Sequence, residues 1–344
     1  MSHPPEPGPE SAPGPARPGL RRRVVVTGAA GFIGAHVCRR LLGMGIDVTG
    51  IDNFDPYYDA QVKRRALGEV AGCAGSAAFD FHEADLCDRG AVGALVAGAE
   101  GVIHLAGRPG VRASVEDPVA CYRANVLGTA AVLAEAARSG VRRVVAASSS
   151  SVYGDRAAGP FHEEMDVNEA RSPYAASKRA CELMAHTHHH LTGVPTAMLR
   201  FFTVYGPGQR PDLAISTFLS AAREGRAVRL FGAPTRSRDY TYIDDIVAGV
   251  LAAYGAIDRF GFRVWNLGNN RPASLADLVG VIGQVTGRAL RTERAEAPQG
   301  DVEHTWADLS RARRELGYQP TTDLAQGIAQ QWAWMNGRSG VGGA

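Results

Sequence analysis

A tyrosine and a lysine four residues apart, Tyr174 and Lys178, could carry out acid–base chemistry. On a helix this spacing projects both side chains from one face, about one turn apart. A lysine ammonium beside a phenol stabilises the phenolate, so the tyrosine becomes a usable base. Such a pair is common by chance on exposed helices. A run of serines, Ser148 to Ser151, ends the preceding predicted strand and favours a site, because the Ser149 hydroxyl can relay or orient the proton.

A glycine-rich turn predicts that the chain also binds a dinucleotide. Gly28, Gly31 and Gly34 follow a hydrophobic run and open an amphipathic helical pattern that includes Phe32 and Ile33. Such a turn lets backbone N–H groups and a helix N-terminus face a pyrophosphate. The spacing is GxxGxxG, and glycines alone often serve only tight turns, so the surrounding strand and helix carry much of the inference.

Asp52 is the second residue expected to bind the dinucleotide. It ends the second predicted strand, roughly 20 residues past the glycine turn. A carboxylate there accepts hydrogen bonds from an adenosine ribose and repels the 2′-phosphate of NADP, so the predicted cofactor is NAD. The alternative is an aspartate that only caps a helix. Five further residues lie at the ends of the third and fourth predicted strands, where a bound cofactor could pass: Asp85, Leu86, Leu105, Ala106 and Gly107.

Short β-rich runs alternate with helical patterns from Val24 onward, which predicts crossover connections and a parallel sheet. The predicted strands span residues 24–27, 47–51, 77–82, 101–105, 143–148 and 196–201. The predicted helices between them include residues 33–42, 120–138 and 174–191, and the Gly/Ala-rich stretch 68–78 is interpreted as a loop. The expected fold class is α/β, a Rossmann-type doubly wound parallel sheet with a smaller C-terminal α/β substrate lobe.

The chain divides into four predicted parts. Residues 1–20, rich in Pro, Gly, Ala and Glu, are expected to form a disordered tail. Residues 21–205 form the NAD-binding Rossmann domain, and residues 206–335 form mainly the substrate lobe, with some later segments returning to the sheet. The lobe pattern includes helices at 215–224 and 244–254 and strands at 228–231 and 264–267, and residues 336–344 are expected to fray.

Composition excludes several classes of function. The formal net charge of +2 gives no broad basic field for nucleic acid. No stretch approaches the ~20 apolar residues of a membrane span, and the N-terminus lacks a signal-peptide pattern. The five cysteines are scattered and odd in number, which argues against a disulfide framework and favours the cytoplasm.

The chain resembles the extended short-chain dehydrogenase/reductase family from about Val24 to Trp334, and within it the UDP-glucuronate 4-epimerases. The segments that carry the resemblance are residues 28–34, 52–58 (DNFDPYY), 109–112, 148–154 (SSSSVYG), 174–178, 200–212 (RFFTVYGPGQRPD), 238–245 (RDYTYIDD) and 299–301. The resemblance implies that NAD accepts hydride from C4 of UDP-glucuronate, and that the 4-keto sugar turns over and takes hydride on its other face. The product is UDP-galacturonate.

The resemblance also implies roles for individual residues. Tyr174 takes the proton of the 4-hydroxyl, Ser149 bridges that hydroxyl, and Lys178 contacts the nicotinamide ribose. Asn53 and Asn125 are further expected cofactor contacts.

Oxidation of glucuronate at C4 creates a β-keto acid that readily loses CO2, so the groups around its carboxylate separate related enzymes. Similar decarboxylases carry Glu at the position of Ser151, and 4,6-dehydratases carry an Asp-Glu pair at Ser150 and Ser151. Hydroxyls at these two positions and at Thr203 could instead hold the carboxylate, and Arg112 could face it. The other residues implied in substrate binding are Arg210 and Arg238 on the nucleotide and Asp301 on its ribose.

Several alternatives stay open. The same Tyr, Lys and Ser would serve a UDP-glucose or UDP-N-acetylglucosamine 4-epimerase, while a UDP-glucuronate decarboxylase is opposed by Ser151. A non-enzyme alternative is an NAD-binding regulator. The histidines at 186–190 are interpreted as helix surface, with no metal expected. The resemblance further implies a homodimer through the helices predicted at 120–138 and 174–191.

Overall fold

The computed structural model describes residues 22–155, 159–296, 300 and 302–337. The tail predicted at residues 1–20, most of the tail predicted at 336–344, and Asp301 lie outside the described residues.

The strands and helices follow the alternation that the sequence predicts. The strands are β1 (Arg23–Thr27), β2 (Asp47–Asp52), β3 (Phe79–Glu83), β4 (Gly101–His104), β5 (Arg143–Ser149), β6 (Thr196–Phe201), β7 (Thr203–Tyr205), β8 (Val228–Phe231), β9 (Ser237–Tyr242), β10 (Phe262–Leu267), β11 (Pro272–Ser274) and β12 (Thr292–Ala295). The α-helices are α1 (Phe32–Gly43), α2 (Ala60–Gly72), α3 (Arg89–Val96), α4 (Val111–Glu116), α5 (Pro118–Tyr122), α6 (Gly128–Arg138), α7 (Pro173–Thr192), α8 (Ala214–Glu224), α9 (Ile243–Ala256), α10 (Leu275–Thr286), α11 (Ser310–Leu316) and α12 (Leu324–Met335).

In the described part of the chain, seven parallel strands form the main sheet in the order β10-β6-β5-β4-β1-β2-β3. Helices cover both faces, so the central strands are apolar on both sides: β4 and β6 are buried along their whole length. The strand order reverses direction between β1 and β4, which leaves a crevice at the carboxyl edge of the sheet. The predicted fold class, with its six predicted main-sheet strands, is confirmed.

The C-terminal part of the chain serves both the sheet and the lobe. Its smaller sheets have the orders β11-β9-β7 and β12-β8. β10, however, pairs with β6 at the edge of the main sheet, and α9 packs against α1. These two C-terminal elements therefore pack with the main sheet and its helices.

Two helical segments differ from their predictions. The helix expected at 120–138 consists of α5, a π-helical turn at Arg123–Leu127, and α6. α2 continues to Gly72, so the first part of the loop expected at 68–78 is helical, and its Val70 is fully buried. Packing of that apolar face outweighs the low helix propensity of Gly68 and Gly72.

No helix among the described residues is long and apolar enough to cross a membrane. Across the same residues, no group of three or more His, Cys, Asp or Glu could hold a metal ion. In the histidine-rich end of α7, His186 packs edge-on against Phe262 and the His189 ring bonds the Val194 carbonyl oxygen.

A buried carboxylate fastens α7 to the middle of the sheet. Glu182, 2% exposed, accepts two hydrogen bonds from Arg200 on β6, at 2.7 and 2.8 Å, and one from the Ser148 hydroxyl on β5 at 2.7 Å. A buried carboxylate is tolerated only when it is paired and hydrogen-bonded in this way. The helix that carries Tyr174 and Lys178 is therefore fixed against β5 and β6.

Candidate active site

One cavity of about 1000 Å³ lies at the carboxyl edge of the main sheet, under the C-terminal lobe. It is lined by nearly every residue that the sequence singled out. The predicted residues that line it are Gly28, Gly31, Phe32, Ile33, Gly34, Asp52, Asn53, Asp85, Leu86, Leu105, Ala106, Gly107, Ser149, Ser150, Ser151, Tyr174, Lys178, Thr203, Arg210, Arg238 and Arg112. Asn125 lies behind the wall, and Asp301 lies outside the described residues.

The glycine turn forms the floor of the cavity beside β1. Gly28 has a φ of 72°, and a Cβ on it would lie 2.8 Å from the Ala106 nitrogen of the neighbouring loop. A Cβ on Gly34 would collide with the Gly28 carbonyl oxygen. The turn is therefore packed too closely to accept a side chain at either position. The N–H groups in the first turn of α1 have no carbonyl partner within that helix. This arrangement suits an anionic pyrophosphate.

Asp52 ties this turn to the end of β2. Its carboxylate accepts the Ala30 N–H at 3.2 Å and the Phe54 N–H at 2.9 Å, and Lys63 lies 4.0 Å away. Burial raises the pKa of Asp52, while Lys63 and the two N–H groups oppose that shift. Each carboxylate oxygen accepts one N–H and can accept a further hydrogen bond, and Asp52 lines the cavity, as recognition of ribose hydroxyls requires.

The loops after β3 and β4 supply the next wall. Asp85 pairs with Arg123 at 2.9 Å and accepts the Cys87 N–H. Although burial opposes ionisation, these two donors hold the pKa of Asp85 below its ordinary value.

Asn125, expected to contact the cofactor, lies behind the cavity wall and bonds the loop that follows β4. Its Oδ1 accepts the Arg108 N–H at 2.7 Å, and its Nδ2 donates to the Arg108 carbonyl at 3.1 Å and to the Ser177 hydroxyl at 2.9 Å. Asn125 is 1% exposed and lies in the π-helical turn. It therefore fixes Gly107 and Arg108 against α7.

Ser149, Tyr174 and Lys178 meet at one end of the cavity. The Lys178 ammonium, 6% exposed, donates to the Ala147 carbonyl on β5 at 3.0 Å. A Cβ on Gly107 would lie 3.3 Å from the same ammonium, so the β4 loop passes directly beside it. The Tyr174 ring is half-buried on the same face of α7 and lines the cavity.

The hydroxyl groups of the serine run point in two directions. Ser148 bonds Glu182 inside the fold, whereas the Ser149 hydroxyl donates to the Ser151 hydroxyl at 3.1 Å within the cavity wall. Ser150 and Ser151 start a short 3-10 turn, and Thr203 starts β7 nearby in the same wall. This end of the cavity is therefore rich in neutral donors.

The predicted arginines occupy the rest of the wall. Arg210 pairs with Asp212 at 2.6 Å, and Arg238 donates to the Val302 carbonyl at 2.7 Å. Arg112 also lines the cavity, and its guanidinium lies 5.0 Å from the centre of the Phe231 ring. The sequence predicted that Arg112 could face the carboxylate but gave no sign of this ring contact.

Sequence reasoning missed His104, which lies beneath the catalytic end. It is 3% exposed and bonds the Thr27 hydroxyl through Nδ1 at 2.7 Å and the Thr129 hydroxyl through Nε2 at 3.0 Å. The Thr27 hydroxyl in turn accepts the Ala106 N–H. No local signal marks this role, because the partners come from β1 and α6.

Comparisons with known proteins agree with this geometry. The model of the NAD dependent epimerase/dehydratase family matches residues 24–268. The UDP-glucuronate 4-epimerase of Thermodesulfobacterium geofontis is 37% identical over 313 residues, which cover 90% of this chain and 95% of that protein. UDP-glucuronate 4-epimerase 3 of Arabidopsis thaliana is 39% identical over 335 residues, covering 91% of this chain and 76% of its own.

Among solved structures, the UDP-glucuronic acid 4-epimerase of Bacillus cereus in complex with UDP-glucuronic acid and NAD superposes with a TM-score of 0.86. It is 32% identical, and the match covers 92% of this chain and 99% of that one.

We predict that His104 stays neutral in the folded protein down to about pH 5, because burial and the neighbouring Lys178 charge lower its pKa to about 3. The unfolded chain takes up this proton near its ordinary value of about 6.5. Below that pH the free energy of unfolding therefore falls as pH falls, by about 1.4 kcal/mol per pH unit for this residue.

The measurement is a ¹⁵N NMR titration of the histidine rings, with the urea-unfolded chain as control. A His104 midpoint at or above about pH 5 would contradict the prediction.

Proposed function

The chain belongs to the NAD dependent epimerase/dehydratase family, and from that premise we propose that it is a UDP-glucuronate 4-epimerase. It interconverts UDP-glucuronate and UDP-galacturonate at C4 through a 4-keto intermediate, with NAD as the cofactor. The observation that carries this assignment is the joint placement, in one cavity, of Ser149, Tyr174 and Lys178 with the hydroxyl residues Ser150 and Ser151 in place of acids.

The residues present fit NAD. The glycine turn is packed so closely that a Cβ at Gly28 or Gly34 would strike neighbouring backbone, and Asp52 offers carboxylate oxygens to the adenosine ribose. When bound, NAD would supply a reversible hydride acceptor for C4 of the sugar. Lys178 would contact the nicotinamide ribose, and Asn125 holds the backbone of Gly107 and Arg108 from behind the cavity wall.

Tyr174 acts as the base and acid at the 4-hydroxyl. It takes the hydroxyl proton when the C4 hydride leaves and returns it when the hydride comes back. The Lys178 ammonium lies one helical turn away, on the same face of α7. Ser149 bridges the same hydroxyl, and its bond to Ser151 gives its proton an alternative acceptor during the exchange.

Ser150, Ser151 and Thr203 hold the uronate carboxylate. Neutral hydroxyls donate hydrogen bonds to a carboxylate without adding a charge of either sign. Held in this way, the carboxylate of the 4-keto sugar is kept from the orientation in which its bond to C5 can break. The same wall lacks the Glu that similar decarboxylases carry at the position of Ser151.

The nucleotide lies toward the arginines. Two phosphates cannot be buried without cations, and Arg210 and Arg238 line the cavity where the β7 and β9 segments enter it. A contact from Asp301 to the ribose stays a prediction, as does a role for Arg112 at the carboxylate. The cytoplasmic location predicted from the scattered cysteines also stays a prediction.

Incubation of the protein with UDP-glucuronate should give UDP-galacturonate, with neither CO2 nor net NADH. Proton NMR separates the products. The variant Tyr174→Phe should lower turnover by about 10²- to 10⁴-fold, the range that general acid–base catalysis contributes, while NAD binding is retained. UDP-xylose as the product, or turnover with UDP-glucose alone, would refute the substrate assignment.

The variant Ser151→Glu should raise the CO2 released per epimerisation or weaken UDP-glucuronate binding, because the new charge repels the carboxylate. The matched control is Ser151→Ala, which removes a neutral donor and should weaken binding about five- to tenfold without CO2 release. Product ratios are read by NMR and affinity by calorimetry. Unchanged ratios and affinities for Ser151→Glu would count against the placement of the carboxylate.

A homodimer through α5, α6 and α7 is part of the same proposal. Large apolar side chains remain exposed along these helices: Val119 (75%), Tyr122 (41%), Leu127 (59%), Leu183 (54%) and Leu191 (76%). A concentration of such residues on one surface marks a protein interface more often than chance exposure does. Two copies that pair these helices about a twofold axis would cover the surface.

The variants Leu127→Asp and Leu183→Asp should convert a dimer into a monomer, since each places a charge in the apolar interface. Light scattering after gel filtration measures the mass. Met44→Asp is the control, because Met44 is also exposed (58%) but lies at the end of α1. A wild-type protein with the mass of one chain would refute the dimer.

A further inference from the structure

A short segment between β2 and α2, residues 53–59, lies beside the cofactor half of the cavity and is held by its own side chains. We call it the strap. Asn53 Oδ1 accepts the Asp55 N–H at 3.0 Å, and Asp55 Oδ1 accepts the Tyr57 N–H at 2.9 Å. Lys63 donates to the Asp55 carbonyl at 2.9 Å. The strap is therefore a preformed loop built of consecutive Asx turns.

The base of the strap is also fixed. Phe54 has a φ of 50°, which is unusual for a bulky residue, and its ring is buried against Phe81 and lies under the Arg64 guanidinium at 4.3 Å. Packing of this ring maintains the strained backbone. The strap consequently leaves β2 in one defined direction.

The strap reaches the loop that follows β4. β1 lies between β2 and β4 in the sheet, and all three strands end at the same edge. The strap follows β2, yet the hydroxyl of Tyr57 lies against Gly110, in the loop after β4. The segments after β2 and β4 therefore meet in front of β1, the strand that lies between them and that leads into the glycine turn.

Tyr57 is the outer attachment of the strap. Two guanidinium groups lie over its ring, with Arg210 at 5.0 Å and Arg108 at 5.9 Å from the ring centre. Burial raises the pKa of Tyr57, so the phenol is neutral and contacts the two cations through its π face. The two cations are themselves paired, Arg210 with Asp212 and Arg108 with Asp117.

The two arginines belong to different parts of the site. Arg108 is held by Asn125 through both its backbone N–H and its carbonyl, and Arg210 follows β7 in the loop that enters the C-terminal lobe. Tyr57 thus joins the segments after β2, β4 and β7 above the cofactor crevice.

We propose that Tyr57 is a positioning residue that keeps the strap closed over bound NAD and slows its dissociation. The inference rests on the proposed function only in taking NAD as the bound dinucleotide. An enzyme that returns the hydride it removed must keep the same cofactor until the sugar has been reduced. A side chain that delays cofactor release therefore serves this reaction directly.

The test measures how fast holoenzyme loses NAD after transfer to cofactor-free buffer, with released NAD quantified by an enzymatic cycling assay. Tyr57→Leu keeps apolar volume but has no π face, so it should release NAD about 10- to 100-fold faster than wild type. Tyr57→Phe keeps the ring beside the two arginines and should stay within about threefold of wild type. Pro56→Ala, an exposed change in the same strap, is the matched control and should behave as wild type.

Saturating free NAD should restore the turnover number of Tyr57→Leu, since the variant alters cofactor retention and not the catalytic end. Release of NAD from Tyr57→Leu at the wild-type rate would overturn the proposal. So would release from Tyr57→Phe as fast as from Tyr57→Leu, because the hydroxyl and not the ring would then be responsible.

A second measurement uses the unmodified protein and does not depend on variants that fold. Deuterium exchange at the backbone amides of the strap should slow when NAD is added, and exchange that is the same with and without NAD would overturn the proposal. Neither readout requires a sugar. If wild type fails to turn over UDP-glucuronate but Tyr57→Leu still loses NAD faster, only the substrate assignment fails.

Discussion

The buried carboxylate of Glu182 is the contact on which the catalytic geometry depends. Tyr174, Lys178 and Glu182 recur every fourth residue, so all three lie along one face of α7. Glu182 binds Arg200 of β6 and Ser148 of β5, and Lys178 bonds the Ala147 carbonyl one residue earlier on β5. Because an unpaired charge in this position would be strongly unfavourable, the helix has one position relative to β5. Ser149, the last residue of β5, is therefore held near the face of α7 that carries Tyr174.

A comparable constraint orders the cofactor half. Asp52 accepts N–H groups from the glycine turn on one side and from the strap on the other. One carboxylate therefore sets the distance between the end of β1 and the end of β2. His104 links the ends of β1 and β4 in a similar way, because the Thr27 hydroxyl bonds the His104 ring and accepts the Ala106 N–H. The crevice is bounded by backbone that side-chain hydrogen bonds hold in register, which is the preorganisation that hydride transfer needs.

The fold class and most of the residues that line the cavity could be predicted from the sequence, because both follow from the local spacing of residues. Gly28 to Gly34, Asp52 and the Tyr174 to Lys178 pair carry their meaning within a few residues. The role of Asn125 could not be found this way, because it depends on a π-helical turn and on partners 17 and 52 residues distant. Tyr57 was part of a recognised motif, but its contact with Arg210 joins two distant loops and has no local pattern. The first part of the Gly/Ala stretch, which the sequence predicts as a loop, is helical because burial of Val70 outweighs the low helix propensity of Gly68 and Gly72.

The reaction places opposite demands on the two walls of one cavity. The dinucleotide must hold still through two hydride transfers, and its wall is made of closed turns, buried carboxylate bonds and a strap attached at both ends. The keto sugar must turn between the transfers, so its wall must bind it in more than one orientation. Rotatable hydroxyls at Ser149, Ser151 and Thr203 can donate or accept in either arrangement, whereas a fixed charge would favour one. In the proposed mechanism, neutral serines at this end therefore have two effects: they place no acid beside the uronate carboxylate, and their rotatable hydroxyls can bind the intermediate in both of its orientations.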